Sequence, residues 1–351
     1  VAIALSPLPR TLRLALGAFA GLLLLAALWA GWWWLVARTA TGALAQWAAE
    51  ETRQGGEVVL EGPAVDGFPW RVRGRFGAVV WHRTDGIHWR AAALEVEAPL
   101  WQPNALTLRL TGAQELRLPA PDGPGPLLIE AGGGHGRLRL GGAGGFTDAA
   151  LSLERLTLGT LRLEALELGV SQPATPPAGH TELGLMIQAD ARRLGLPPGL
   201  TLSLGPAVES AQVALRVMGP VPRPVPAGLS AWSRDGGTVE LDSATLAWGP
   251  LRLAAEGTLA LDRDLQPQGA LSAEITGFAP ALDALAAAGL IRPKDAGTAK
   301  AVLGGLTQKG ANGSGGAPPR IPVSMHDRAL YIGPFRLMPL PLLVWQPVGA
   351  G

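Results

Sequence analysis

The sequence predicts a mostly β protein with minor α content: an N-terminal transmembrane helix, then an extended or partly closed antiparallel sheet with one or two packed helices. Three observations predict it. A run without a charged or polar side chain extends from Leu14 to Ala37. From about Val58 apolar residues recur at every second position, the period of a strand with one wet face. Gly and Pro, 48 and 31 of 351 residues, punctuate these alternating runs, as short strands joined by many turns require.

As a helix, Leu14 to Ala37 would measure about 36 Å, slightly more than a bilayer's hydrocarbon core. Arg10 and Arg13 precede it, and Trp29, Trp32, Trp33 and Trp34 crowd its C-terminal end, where amphipathic rings suit the headgroup zone. Residues 1–38 are therefore expected to be a cytoplasmic N-terminus and a single membrane span, with the remaining mass on the far side under the positive-inside rule. Two rivals are a signal peptide cleaved near Ala43-Leu44-Ala45 and a buried soluble helix. The apolar core is longer than a signal peptide's, and that candidate site lies well beyond it. Residues 39–56 continue as a juxtamembrane helix, with Leu44, Trp47, Ala48 and Glu51 at helical spacing and Gly55-Gly56 as the stop.

Two β-rich halves follow, 57–170 and 171–351. Phe68, Trp70, Val72 and Phe76 occupy even positions while Arg71, Arg73 and Arg75 take the odd ones, which puts a solvated charged face opposite an apolar one. Similar alternation recurs at Leu94–Glu97, Leu106–Leu110, Leu116–Leu118 and Leu138–Leu140. Gly132–Gly134 and Gly141–Gly145 read as turns. Leucines at 151, 153, 156, 158, 161, 163, 166 and 168 are spaced alternately by two and three. That spacing fits neither an ideal helix nor an ideal strand. Strands whose face is reset by bulges or turns explain it, as would a short solenoid-like stack. Ser171–Gly179 and Pro220–Pro226 read as connections. Strands are expected near 181–189, 200–204 and 211–218, then as a meander over Gly237–Ala247, Leu251–Leu261 and Gln268–Thr276. Helices are expected over Ala281–Ala288, with Gly289 as C-cap, and about Ala296–Leu306. Gly310–Pro319 reads as a loop, and strands at 321–325 and 328–332 precede a Pro-rich tail.

Composition removes several classes of chemistry. The chain has no Cys, which excludes disulfides, thiolate nucleophiles and a cysteine-linked lipid anchor. A net charge of +1 with acids and bases intermixed argues against a nucleic-acid track. The five His residues form no H-x-x-x-H pair, and no G-x-S-x-G elbow occurs. His82 and His88 can meet across a hairpin through Asp85-Gly86, with Asp66 as a further candidate ligand; solvated histidines are the plainer reading. Trp81, Trp89, Trp101, Trp232 and Trp248 sit beside strand ends, where capping the core suffices. No catalytic site, metal or cofactor is expected.

Several turn and strand signatures occur in a fixed order. They are Gly62-Pro63, Gly67-Phe68-Pro69-Trp70-Arg71, Pro99-Leu100-Trp101-Gln102-Pro103, Gly236-Gly237, Trp248-Gly249-Pro250-Leu251, Gly257-Thr258-Leu259, Gln266-Pro267-Gln268-Gly269 and Tyr331-Ile332-Gly333-Pro334. With the N-terminal membrane segment, this order resembles the "domain of unknown function 2125" family of Gram-negative alphaproteobacteria. The resemblance implies an envelope protein, hence an inner-membrane anchor and a periplasmic domain, and supplies no active-site residues. More distantly, an anchored chain of Leu-rich strands is similar to the AsmA-like group, associated with lipid transport and envelope homeostasis.

Two functions remain open. A non-enzymatic envelope protein could bind or shield inner-membrane lipid in an apolar groove, with Phe68, Trp70, Val72, Phe76, Leu241, Leu246, Leu253 and Leu259 as lining residues. Alternatively the same residues fill a closed core, and the protein is a scaffold for envelope partners. Oligomeric state stays open in both.

Overall fold

The computed structural model describes residues 10–119, 126–142, 145–197, 203–223, 225–311, 320–332 and 335–345. It opens with a single uninterrupted helix, α1 (Arg10–Arg53). Between the apolar run and Gly55 there is no proline and a single glycine, Gly42, which a helix tolerates, so the expected anchor and juxtamembrane helix are one rod of about 66 Å. Gly55, in the left-handed region at φ 85°, ends it.

Among the described residues seventeen strands follow, all in one sheet, and each of their pairings is antiparallel. Strands β5 (His88–Pro99), β6 (Ala105–Leu118), β7 (Leu127–Leu140), β8 (Phe146–Leu158), β9 (Leu161–Ser171), β10 (Leu183–Gly195), β11 (Ala207–Met218), β12 (Val239–Trp248), β13 (Leu251–Leu261) and β14 (Pro267–Thr276) form a meander, each paired to the next. β15 (Arg320–His326), β16 (Ala329–Ile332) and β17 (Phe335–Pro339) extend it. On the far side of β5, β3 (Arg71–Phe76) pairs with its C-terminal half and β4 (Val79–His82) with its N-terminal half. Beyond these lie β2 (Ala64–Asp66) and β1 (Glu57–Leu60). The Ser171–Gly179 connection joins β9 to β10, which pair directly, so both β-rich halves share one sheet.

The leucine spacing of two and three has a local cause. Arg155 in β8 adopts φ 50°, where the spacing lengthens between Leu153 and Leu156, and Gly159 at φ 60° turns β8 into β9 between Leu158 and Leu161. Ordinary strands with a reset face account for the run, and a solenoid is not needed. Gly112, Gly133 and Arg193 also have positive φ, and the registers place them at one level with Arg155 across β6, β7, β8 and β10. The Arg155 guanidinium donates to the Gly132 carbonyl at 3.1 Å, and Arg193 lies 3.6 Å from Glu164. Aligned irregularities of this kind bend a sheet and increase its twist. Just beyond this crease Val79, Ala91, Gln114, Ala131, Leu156 and Val208 are all buried, as residues on the inside of a fold should be.

Four sequence expectations are corrected. Gly132–Gly134 is not a turn but the middle of β7. A Cβ on Gly134 would lie 2.5 Å from the Ser152 carbonyl, and one on Gly132 2.5 Å from Arg155 Nε, so glycine here admits close neighbours. The segment after Pro220–Pro226 holds a helix, α2 (Pro226–Arg234), with Pro at its start and Leu229 and Trp232 buried. Residues 203–204 are in a turn rather than a strand, and 200–202 lie outside the described residues. The Pro-rich tail contains β17. The later helices α3 (Phe278–Ala287) and α4 (Pro293–Ala311) lie close to their expected ranges. Gly289, at φ 72°, follows α3 with its N–H on the Ala286 carbonyl. Residues 312–319 of the expected loop lie outside the described residues.

The helices lie at the margins and strand ends of the sheet: α2 bonds through Trp232 and Ser233 to the ends of β11 and β13, and α3 also packs on Leu196, Leu204 and Trp248 at the β10–β12 ends. α1 packs on β1 and β3, and α3 and α4 cover β13 to β16 through Phe278, Leu282 and Leu303 on Ala273, Ile321 and Val323.

Candidate functional site

The registers sort the sheet into two faces. Leu94, Leu110 and Gly134 stand opposite one another in neighbouring strands, as do Val96, Leu108, Gly136 and Leu151. The same face continues through Leu153 and Leu166, Leu168 and Ala189, Val170 and Ile187, then Leu215 and Leu241, and Leu246 and Leu253. Alternation makes this a continuous aliphatic surface from β5 to β13. Away from the strand ends, no described helix makes an extensive contact with β5 to β12, a width of about 34 Å at the usual strand spacing. Its leucines are nevertheless half-buried, Leu168 at 37% being the most exposed. Packed side by side on a creased sheet, they shield one another.

The opposite face is charged and internally paired. Arg71 and Arg73 hold Glu97 at 2.8 and 3.2 Å. Arg75 pairs with Asp66, Arg216 with Asp242 at 2.6 Å, and Arg320 with Glu256 at 2.7 Å. Burial opposes ionisation of Glu97, but the hydrogen bonds and charges of Arg71 and Arg73 outweigh it and hold its pKa below the ordinary value. The hydrogen bond from Arg216 does the same for Asp242, against a smaller effect of burial. Glu97 therefore stabilises the fold above the unfolded carboxylate range of about 4.3. This contribution disappears as pH falls through its lower folded value. The difference in Tm between wild type and Glu97→Gln should be constant near neutrality and shrink in acid, as a thermal melt series would record.

Of the predicted lining residues, Leu241, Leu246, Leu253 and Leu259 share the apolar face and are half-buried, with Leu246 directly opposite Leu253. Phe76 reaches that face opposite Leu94. Val72 is on it too but lies under α1, in a buried cluster with Ala37 and Leu100. Phe68 and Trp70 are elsewhere: they occupy the turn before β3, 57% and 63% exposed.

That turn makes a contact the sequence did not announce. Three indole N–H groups of α1 donate to backbone carbonyls of the β-domain: Trp29 to Pro69 at 2.7 Å, Trp33 to Arg71 at 2.7 Å and Trp32 to Leu100 at 3.2 Å. Trp29 stands edge-to-face with Trp70 at 6.2 Å, and Trp33 with Phe68 at 5.9 Å. Further along α1, Trp47 meets Trp81 of β4 at 5.8 Å. The tryptophans at the end of the apolar run thus clamp the sheet margin to the helix. Their number, four within six residues, was the available signal; their partners, some 38 to 68 residues away, were not readable.

Among the described residues the candidate ligands for chemistry are engaged elsewhere or stand apart. His82 and His88 do meet, stacked at 3.7 Å in paired strands, but Asp66 is engaged by Arg75 and Arg73. Among the described residues no group of three or more His, Asp or Glu is arranged to hold a metal ion. A cleft of about 460 Å³ over β6–β10 is lined by Leu106, Leu138 and Val170, with Arg137, Arg139 and Asp148, and holds no carboxylate pair. Trp232 and Trp248 do cap strand ends, reaching the carbonyls of Met218 and Gly205. Trp101, 70% exposed, caps nothing.

α1 is long and apolar enough to cross a membrane. Residues 33–341 match a family described as "Uncharacterized protein conserved in bacteria (DUF2125)". No curated protein and no solved structure matches the chain.

Proposed function

The chain belongs to the DUF2125 family of bacterial proteins, and from that premise we propose that it is a non-enzymatic, membrane-anchored envelope protein whose sheet shelters lipid acyl chains. In this reading α1 spans the inner membrane from a cytoplasmic N-terminus, and the β-domain stands in the periplasm. The observation that carries it is the aliphatic face between β5 and β12, which no described helix covers away from the strand ends and which contains almost no polar atom. A contiguous apolar face of this kind marks a site of interaction, and hydrocarbon chains match its chemistry. Leu241 and Leu246 belong to it, Leu253 and Leu259 continue it onto β13, and Phe76 continues it onto β3. Phe68 and Trp70 stand exposed at its α1 margin, whereas Val72 is buried beneath α1 and serves packing.

Neighbouring positions on opposite faces make the test specific. Leu246→Asp puts a charge on the apolar face, while Thr245→Asp puts the same charge on the polar face one residue away. After extraction of the full chain in mild detergent, mass spectrometry should find phospholipid with wild type and Thr245→Asp, and a large loss with Leu246→Asp at unchanged circular dichroism. A wild-type protein that is folded and lipid-free would assign the face to a protein partner and the chain to a scaffolding role.

A further inference from the structure

We infer that the Phe68–Trp70 turn and Trp101 form a second membrane contact: an aromatic seat that rests in the headgroup–acyl boundary of the same bilayer that α1 crosses. The inference rests on α1 being a membrane span, and goes beyond it by giving the β-domain a fixed depth and a defined underside. The clamp supplies the geometry. Trp29 is tied to Pro69, and residues 19–28 before it are exposed. The helix from Arg10 to Leu28 measures about 28 Å, of which the uncharged part from Leu14 is about 22 Å, against a hydrocarbon core of about 30 Å, with Arg10 and Arg13 placed at its cytoplasmic end. With that segment spanning, Trp29 stands at the interface, and the turn bonded to it stands at the same level. Phe68 and Trp70 stack on Trp33 and Trp29 yet keep 57% and 63% of their surface exposed. Leu100 is 1% exposed beside Ala37 and takes the Trp32 N–H, which holds the neighbouring Trp101 at the same margin with 70% exposure. Trp32 and Trp34 are exposed there too, and Arg38 lies over the Trp34 ring at 5.0 Å. Exposed aromatic rings with a cation beside them are the side chains that partition into a headgroup layer. Their continuity with the exposed apolar flank of α1, Phe19 to Leu28, identifies the occupant as lipid.

The chain has no cysteine, so single labels can be placed cleanly. Full-length Trp101→Cys, Phe68→Cys, Leu24→Cys and Thr160→Cys, each carrying an environment-sensitive fluorophore, are reconstituted in nanodiscs of phosphatidylethanolamine and phosphatidylglycerol. Thr160 lies in the β8–β9 turn at the opposite end of the strands. Labels at 101, 68 and 24 should be quenched by brominated acyl chains and protected from aqueous iodide, with the reverse at 160. Labels at 101 and 68 that behave like the one at 160 overturn the seat. If the label at 24 is then still in lipid, the anchor stands and the seat alone fails; if it too is aqueous, the membrane reading fails with it. Neither result depends on lipid bound to the β5–β12 face, which is measured separately.

Discussion

Replacing Trp29 and Trp33 together by alanine is expected to release the sheet from α1 while leaving the helix itself folded. Each indole contributes one hydrogen bond and one edge-to-face ring contact. At about 1 kcal/mol for each bond and each ring pair, the double substitution removes about 4 kcal/mol. That is close to a thousandfold shift in the docking equilibrium at about 1.4 kcal/mol per decade. Phenylalanine at both positions keeps the rings and deletes the donors, so about half of the effect should remain. The readout is a distance distribution between spin labels at Ala45→Cys on α1 and Thr111→Cys on β6. It should be narrow in wild type, broader in the Phe pair and widest in the Ala pair. An unchanged narrow distribution in the Ala pair would show that the Trp32–Leu100 bond, the Ala37–Val72–Leu100 cluster, Trp47 on Trp81 and the short α1–β1 link suffice to hold the domain.

The second large effect is expected at Gly277, which starts α3 in the left-handed region at φ 67°. A Cβ there would collide with the Pro250 carbonyl oxygen. Gly289, after the same helix, has a similar φ of 72°, but nothing lies within 4 Å of its Cβ position. The two glycines separate backbone strain from collision. Gly289→Ala should cost about 1 to 2 kcal/mol, the left-handed penalty alone. Gly277→Val adds a backbone clash and should exceed about 4 kcal/mol, the exceptional end of single substitutions. Chemical denaturation of the two variants measures the difference. Hydrogen exchange should place the loss in β13 to β16, where α3 and α4 lie, while β5 to β9 keep their protection.

Legibility in the sequence followed the range of each interaction. Period-two alternation and turn residues are local, and they located the later meander to within two residues: Leu251–Leu261 was read as it stands. The apolar run and its flanking charges are local as well, and they located α1. The candidate lining residues divided on the same principle. Leu241, Leu246, Leu253 and Leu259 sit inside regular strands and landed on one face. Phe68 and Trp70 precede the strand whose period was extended back to them, and a turn intervenes at Gly67–Trp70. The glycines of β7 misled because a turn residue and a residue admitting a close neighbour are the same residue; only the Arg155 side chain over Gly132 tells them apart. α2 carries a local signal, a proline at the first helical position with Leu229 and Trp232 three residues apart. The clamp on α1 carried none, because carbonyl acceptors leave no mark on side-chain identity.

The order of the strands also determines how the sheet can be made. From β5 to β14 every strand pairs with the one synthesised just before it. A growing chain can therefore add strands one at a time to an edge that already exists, and no strand in this stretch waits for a distant partner. Low sequence separation between partners favours rapid formation. It also leaves a live edge at every intermediate length, open to strands from other chains until the next one arrives. Beginning that growth against a helix already fixed in place would give the first edge a fixed position, with the sheet lengthening away from it as synthesis proceeds.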